Sequence, residues 1–220
     1  MASRRIKVWD WPVRVTHWSF AVLVPAMWLT AENSLWGWHT TLGVVLLGLL
    51  VFRLLWGFLG TRTARFTDFV RGPGRLMAYL RGGDSEAVGH SPLAALSVLA
   101  LLGAMSAQVG MGLFAGDPFD GASGPLNPLV GVTTADRLTE WHETFYLVVL
   151  GLAALHIAAI AYYTFIRRDR LVGPMVTGRR EVDHAKEGTG SVSTLGLLVA
   201  VIVAVGIALW VEWGAPPLGG

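Results

Sequence analysis

Five stretches of this chain, approximately 13–30, 36–59, 92–114, 141–166 and 192–213, are long and apolar enough to cross a hydrocarbon core of about 30 Å as helices. In lipid a spanning segment must satisfy its own backbone, so the expected fold is all-α: an integral membrane helical bundle. Charged residues make up only 15% of the chain, against roughly a quarter in soluble domains, which removes water as its main solvent. Trp and Tyr cluster near the ends of the apolar runs, as at Trp36 and Trp38, Trp56, Trp141, Tyr162 and Tyr163, and Trp210 and Trp213, where headgroups favour them. The first run follows Arg4, Arg5 and Lys7 as a signal peptide would, but no small-x-small cleavage pattern comes after it, so it is expected to be retained.

The 17 basic residues divide unevenly about these runs. Arg4, Arg5, Lys7 and Arg14 stand at the start, Arg53 late in the second run, and five more in the 60–91 loop. Arg167, Arg168, Arg170, Arg179, Arg180 and Lys186 follow the fourth run, while Arg137 alone lies in the loop before it. The positive-inside rule then predicts a cytoplasmic N-terminus and a C-terminus on the outer side, the periplasm or its equivalent. The outer side carries Glu32, Asp117, Asp120, Asp136, Glu140, Glu143 and Glu212, a negative field that would attract a basic soluble partner. The Gly/Pro-rich segment 115–135 is the longest outer connection and the expected docking or lid element. No nucleic-acid partner is expected.

The chain has no cysteine, which excludes thioether-linked haem, iron–sulfur clusters and disulfides together. Four of its six histidines, His17, His39, His142 and His156, fall within or at the ends of the runs, where an ionisable side chain is costly unless paired or ligating. His142 and His156 are 14 residues apart, about 21 Å of helical rise and roughly 40° short of four full turns, so both rings project from one face. His17 lies near the cytoplasmic start of the first run and matches His156 in depth. His39 lies near the outer start of the second and matches His142. Each pair is expected to ligate one haem iron through two imidazoles, giving two b-type haems. Zinc is the weaker alternative, since two histidines fall short of its usual protein ligands.

Other candidates carry two readings each. Gly43, one turn from His39, leaves room for a flat cofactor, although glycine is common at any membrane helix interface. Arg14 and Arg53 approach the inner level, either to pair with a haem propionate or line a quinone pocket, or to snorkel to headgroups. His90 precedes Ser91-Pro92, an N-cap followed by proline, and serves that helix start or contacts a propionate or quinone. His184 sits in a charged loop and is expected to be solvated.

The segments VWDWPVRVTHW at 8–18, WHTTLGVVLLGLLVFRLLWGFLGTRTARFTDFVRGP at 38–73, GHSPLAALSVLALL at 89–102 and LTEWHETFYLVVLGLAALHIAAIAYY at 138–163 resemble the bacterial cytochrome b561 family and the related b-type subunits of nickel–iron hydrogenases. The resemblance implies a four-helix di-haem core, here over 1–170, with His17 and His156 on one haem and His39 and His142 on the other. The region 171–220, a cytoplasmic loop and a fifth transmembrane helix without histidine, departs from the family pattern. Also implied is electron transfer in a respiratory chain between ubiquinone or menaquinone and a periplasmic partner, a basic c-type cytochrome or a redox subunit. A superoxide:quinone oxidoreductase, a membrane anchor for a dehydrogenase or hydrogenase, and a transporter with a histidine proton relay are the rival expectations.

Overall fold

The computed structural model describes residues 3–70, 72–82, 89–117, 121–183 and 188–218. Asp120, His184 and Lys186 therefore lie outside the described residues, as does Arg71. A strand β1 (Ser3–Lys7) leads into α1 (Trp11–Glu32) and α2 (Trp36–Leu59), followed by the short α3 (Phe66–Phe69) and α4 (Pro73–Leu80). Next come α5 (Pro92–Phe114), a small hairpin of β2 (Gly116–Asp117) and β3 (Ala122–Ser123), and a 3-10 turn at Asn127–Leu129. The long α6 (Val132–Phe165), α7 (Val172–Thr177), β4 (Arg179–Asp183) and α8 (Thr194–Glu212) complete the chain.

The structure is an all-α membrane bundle with two short ribbons added. Among the described residues α2, α5, α6 and α8 are long and apolar enough to cross a membrane. Their outward side chains support that reading: Leu155 and Ile157 of α6 are 67% and 66% exposed and Ile202 of α8 is 67% exposed, an arrangement stable against lipid tails and costly against water. The first expected span, α1, has a comparable 22 residues, but Arg14, His17 and Pro25 dilute its apolar run, so composition alone does not single it out. Helix α6 begins nine residues before the expected start at 141 and runs for 34 residues, about 51 Å against a core of about 30 Å. Its added turns, VTTADRLTE, are polar and were invisible to a search for apolar runs.

Two compact units divide the chain, each taking slices of the same helices. The first comprises Met1–His17, Arg53–Leu101 and Leu152–Ala200. At its centre Asp10, wholly buried, caps α1: its Oδ1 accepts from the Val13 amide at 2.8 Å, while Oδ2 accepts from Trp56 Nε1 at 3.0 Å and Thr61 Oγ1 at 2.6 Å. Thr61 reaches Thr189 at 2.6 Å, and Thr63 donates to the Val8 carbonyl at 2.6 Å, so residues from three distant segments share one polar knot. Antiparallel pairing of β1 with β4, Ser3 opposite Asp183 through Lys7 opposite Arg179, ties the chain before α1 to the chain after α6. Gly178 at φ +78° ends α7, and there a Cβ would come within 2.9 Å of the Trp9 carbonyl, so glycine is required on both counts.

The second unit comprises Trp18–Phe52, Leu102–Gly151 and Val201–Gly220. Here α8 packs on α2 through small residues: a Cβ on Gly48 would sit 3.4 Å from Ala208 Cβ, and Ala204 beside it is buried. At the end of α8, Val211 and Ala215 form a buried cluster with Leu126, closed by Leu47, Leu113, Phe114 and Leu129. The segment after α5 folds back on that helix, with the Leu126 amide donating to the Leu113 carbonyl at 2.9 Å and Asn127 Nδ2 to the Phe114 carbonyl at 3.1 Å. The fifth apolar helix thus holds the connection expected to act as a lid.

Candidate functional site

Four histidines meet in two pairs, one in each unit. His17 of α1 and His156 of α6 have ring centres 6.3 Å apart with planes inclined at 57°. His39 of α2 and His142 of α6 have ring centres 6.1 Å apart at 86°. These rings are too far apart to touch. Two imidazoles bound on opposite sides of one metal ion, at about 2 Å from each ligating nitrogen, put their ring centres about 6 Å apart.

Hydrogen bonds select the free nitrogen. His142 Nδ1 donates to the Gln108 carbonyl at 2.9 Å, and His39 Nδ1 to the Met27 carbonyl at 3.1 Å, with Thr30 Oγ1 also at 3.1 Å. A carbonyl only accepts, so in both rings Nδ1 carries the proton and Nε2 keeps its lone pair. His156 Nδ1 faces Ser97 Oγ at 3.3 Å, a hydroxyl that can give or take the hydrogen bond, so this contact engages Nδ1 without fixing the tautomer. Such an arrangement, with one ring nitrogen anchored and the other open, is the one seen around metal-ligating histidine.

Among the described residues no group of three or more His, Cys, Asp or Glu side chains gathers to hold a metal ion. Each pair offers two nitrogens and nothing more, a donor set matched to a metal that arrives with an equatorial ring of its own. The residues present fit an axially ligated haem.

The other candidates separate. Arg53 is 5% exposed and so does not snorkel; its Nη1 donates to the Ala64 carbonyl at 3.4 Å and its guanidinium lies 5.2 Å from the Phe66 ring centre. His90 lies against Trp9 at 4.6 Å and Phe69 at 4.3 Å between ring centres, with Nδ1 buried and without a hydrogen-bond partner among the described residues. Burial, followed by the charges of Arg53, His156 and His17, pushes its pKa down to about 3. Ser91, next to it, does cap α5, accepting from the Ala94 amide at 3.2 Å. Arg14 donates to the Met175 carbonyl at 3.3 Å and to that of Val176, closing the end of α7. Gly43 faces Met27, where a Cβ would have an ordinary contact of 3.6 Å.

Several residues escaped the sequence reading. Gly112 is the glycine set against a candidate ligand, since a Cβ there would fall 2.7 Å from His142 Cε1. Gln108 Nε2 donates to the His142 carbonyl at 2.9 Å, while the Gln108 backbone carbonyl accepts from the His142 ring. Gln108 and Ser97 are polar residues within an apolar helix, which is the signal that could have marked them. Nothing short of the packing marks Gly112. Of the acidic residues expected on one side, Glu32, Asp136, Glu140, Glu143 and Glu212 are exposed.

The family model described as prokaryotic cytochrome b561 matches residues 8–178. Comparison with curated proteins and with solved structures finds no match.

Proposed function

We propose, starting from the prokaryotic cytochrome b561 family to which this chain belongs, that it holds two b-type haems and links a membrane quinone to a soluble redox partner. Transmembrane electron transfer through b-type haem, in a multi-pass bacterial membrane protein, follows from that membership and from the apolar helices. The finer reading rests on one observation: two imidazole pairs with ring centres 6.3 Å and 6.1 Å apart, both drawing one member from α6.

Haem supplies a one-electron couple, and the protein sets its position and potential. His17 and His156 would hold one group, His39 and His142 the other, within residues 1–170. Residues 171–220 add α7, β4 and α8 to that core. Gln108, Met27 and Ser97 orient the ligand rings, and Gly112 keeps space beside His142. Arg53, buried and, among the described residues, hydrogen-bonded at 3.4 Å to Ala64, offers its remaining donors to a propionate or to quinone oxygens, with His90 as a second donor. Arg14 serves the same region indirectly by fixing the end of α7, and Gly43 gives clearance beside α1. In this reading the N-terminus is cytoplasmic, the C-terminus periplasmic, and the exposed carboxylates Glu32, Asp136, Glu140, Glu143 and Glu212 face a basic c-type cytochrome.

A haem count with a reduced-minus-oxidised spectrum, on the wild type and on alanine variants of His17, His39, His142 and His156, tests the assignment. Two haems in the wild type and one in each variant are expected. Full haem content in all four variants would overturn it.

A further inference from the structure

The β1–β4 ribbon of the first unit carries a charge arrangement that its own fold leaves uncompensated. Lys7 stands directly opposite Arg179 in the antiparallel register, and cross-strand partners project from the same face of a ribbon. Both are exposed, and like charges placed opposite each other destabilise a strand pair. The neighbouring pair on that face, Arg5 and Glu181, is joined at 3.6 Å, so Glu181 already has its cation. The other described carboxylates of this unit are engaged too: Asp68 with Arg65, Asp169 with Arg180, and Asp10 inside the buried knot. Arg4, Arg75, Arg81, Arg167, Arg168 and Arg170 are exposed and form no ion pair among the described residues.

These cations gather where the apolar run of α6 ends. Phe165 and Ile166, both exposed, directly precede Arg167 and Arg168, the order of side chains that suits a boundary between acyl chains and headgroups. Hydrogen bonds connect this point to the rest of the surface. The Tyr163 hydroxyl meets that of Tyr79 on α4 at 2.9 Å, the Asp169 amide donates to the Tyr163 carbonyl at 2.9 Å, and Arg180 of β4 donates to both Asp169 oxygens at 2.8 Å and 2.9 Å. Helix α4 is thereby held beside the end of α6. Its Met77 and Leu80, three positions apart on one face, are 51% and 60% exposed, with Arg75 and Arg81 exposed near them in sequence. A short helix with bare apolar side chains and neighbouring arginines suits the plane of a membrane interface better than water.

We infer that this end of the unit is a binding surface for anionic phospholipid, with Lys7 and Arg179 taking the headgroup phosphate and Met77 and Leu80 seating α4 among the upper acyl chains. A phosphate held by Lys7 and Arg179 turns a repulsive pair into two charge-assisted contacts, and the arginine presents a planar fork that matches phosphate oxygens. The occupant is a lipid rather than an acidic protein for two reasons. The cations continue directly from the end of an apolar helix, and beside them stand apolar side chains that an acidic peptide would leave bare. The inference holds however many haems the bundle carries.

Native mass spectrometry of the full-length protein in neutral detergent, titrated with phosphatidylglycerol or with phosphatidylcholine of the same chains, reads the binding directly. Phosphatidylglycerol should bind where phosphatidylcholine does not, and its affinity should fall about fivefold for each charge removed in Lys7→Gln and in Lys7→Gln/Arg179→Gln. Either substitution relieves the repulsion between the strands, so these variants should be no less stable than the wild type in the absence of lipid. Met77→Gln/Leu80→Gln, which leaves every charge in place, should also weaken phosphatidylglycerol. Equal binding of the two lipids, or an affinity for phosphatidylglycerol that ignores the charge substitutions, overturns the inference. So does poly-glutamate displacing the lipid at lower concentration, which assigns the surface to an acidic protein, or inorganic phosphate displacing it at equal concentration, which assigns it to a free anion.

Discussion

Gln108 and His142 are joined by two reciprocal bonds, the histidine ring donating to the glutamine carbonyl and the glutamine amide donating to the histidine carbonyl, each 2.9 Å long. Each bond runs from the side chain of one helix to the backbone of the other, so the grip uses one side chain from each partner. It makes the orientation of a candidate ligand a property of helix spacing, and it links the predictions at this site to packing rather than to charge.

Gly112→Val should abolish one haem site and leave the other. A Cβ at position 112 would fall 2.7 Å from His142 Cε1, and the ring cannot yield without losing its bond to Gln108. Haem content should fall by about half, with the remaining spectrum that of the His17–His156 site. Two haems retained would show that the ring has room to move.

Asp10→Ala should destabilise the protein by about 2–4 kcal/mol, because one buried carboxylate serves a helix N-cap, an indole and a hydroxyl. The measurement is the thermal midpoint in detergent. A midpoint within a degree of wild type would mean that the knot at Asp10, Thr61 and Thr189 contributes little.

In the haem-free chain, stability should fall as pH is lowered from about 6.5 toward about 3, the folded value of His90. Its folded pKa lies below the unfolded one, so in this window the unfolded chain binds the extra proton and is favoured. Above pH 6.5 the contribution is constant. His90→Phe, which keeps a ring against Trp9 and Phe69, should flatten the slope in denaturant titrations at several pH values. A slope identical in the two proteins would assign the acid sensitivity elsewhere.

Electron exchange with a basic c-type cytochrome should slow as ionic strength rises from about 0.01 M to about 1 M, over which the screening length shrinks from about 30 Å to about 3 Å. The exposed carboxylates at Glu140 and Glu143 motivate this expectation. Stopped-flow rates indifferent to salt would rule out charge-guided docking on that surface.

Removal of α8 should expose the outer connection. Val211 and Ala215 bury Leu126 and hold Leu129, so a chain ending at residue 190 should be cut faster by protease within 121–131 than the full chain. Equal cutting rates would leave α8 a covering helix with no hold on that segment.

The proximity of His17 to His156 and of His39 to His142 was legible before any coordinates, because it follows from rise per residue and from the alternating direction of successive helices. The bounds of α2 and α5 were legible for the same reason, as uninterrupted apolar runs closed by recognisable caps such as Ser91-Pro92. The polar start of α6 was not, since its helicity owes nothing to an apolar stripe. Nor was the ribbon of β1 and β4: SRRIK and RREVD have no clear alternation, and Ile6 is their one buried apolar residue, so only pairing across the chain makes them strands. Gly112 and the Asp10 knot belong to this second class, in which a residue's role is created by what lands beside it.

That ribbon also imposes an order on biosynthesis. Residues Ser3–Lys7 leave the ribosome well before their partner Arg179–Asp183, which follows α6 about 10–35 s later at roughly 5–20 residues per second. Thr189, which completes the knot around Asp10, comes later still. The N-terminal half of α1, which carries His17, is therefore made well before the segments that tie it down, and a cofactor gripped by His17 and His156 has both of its histidines only after α6 has been made.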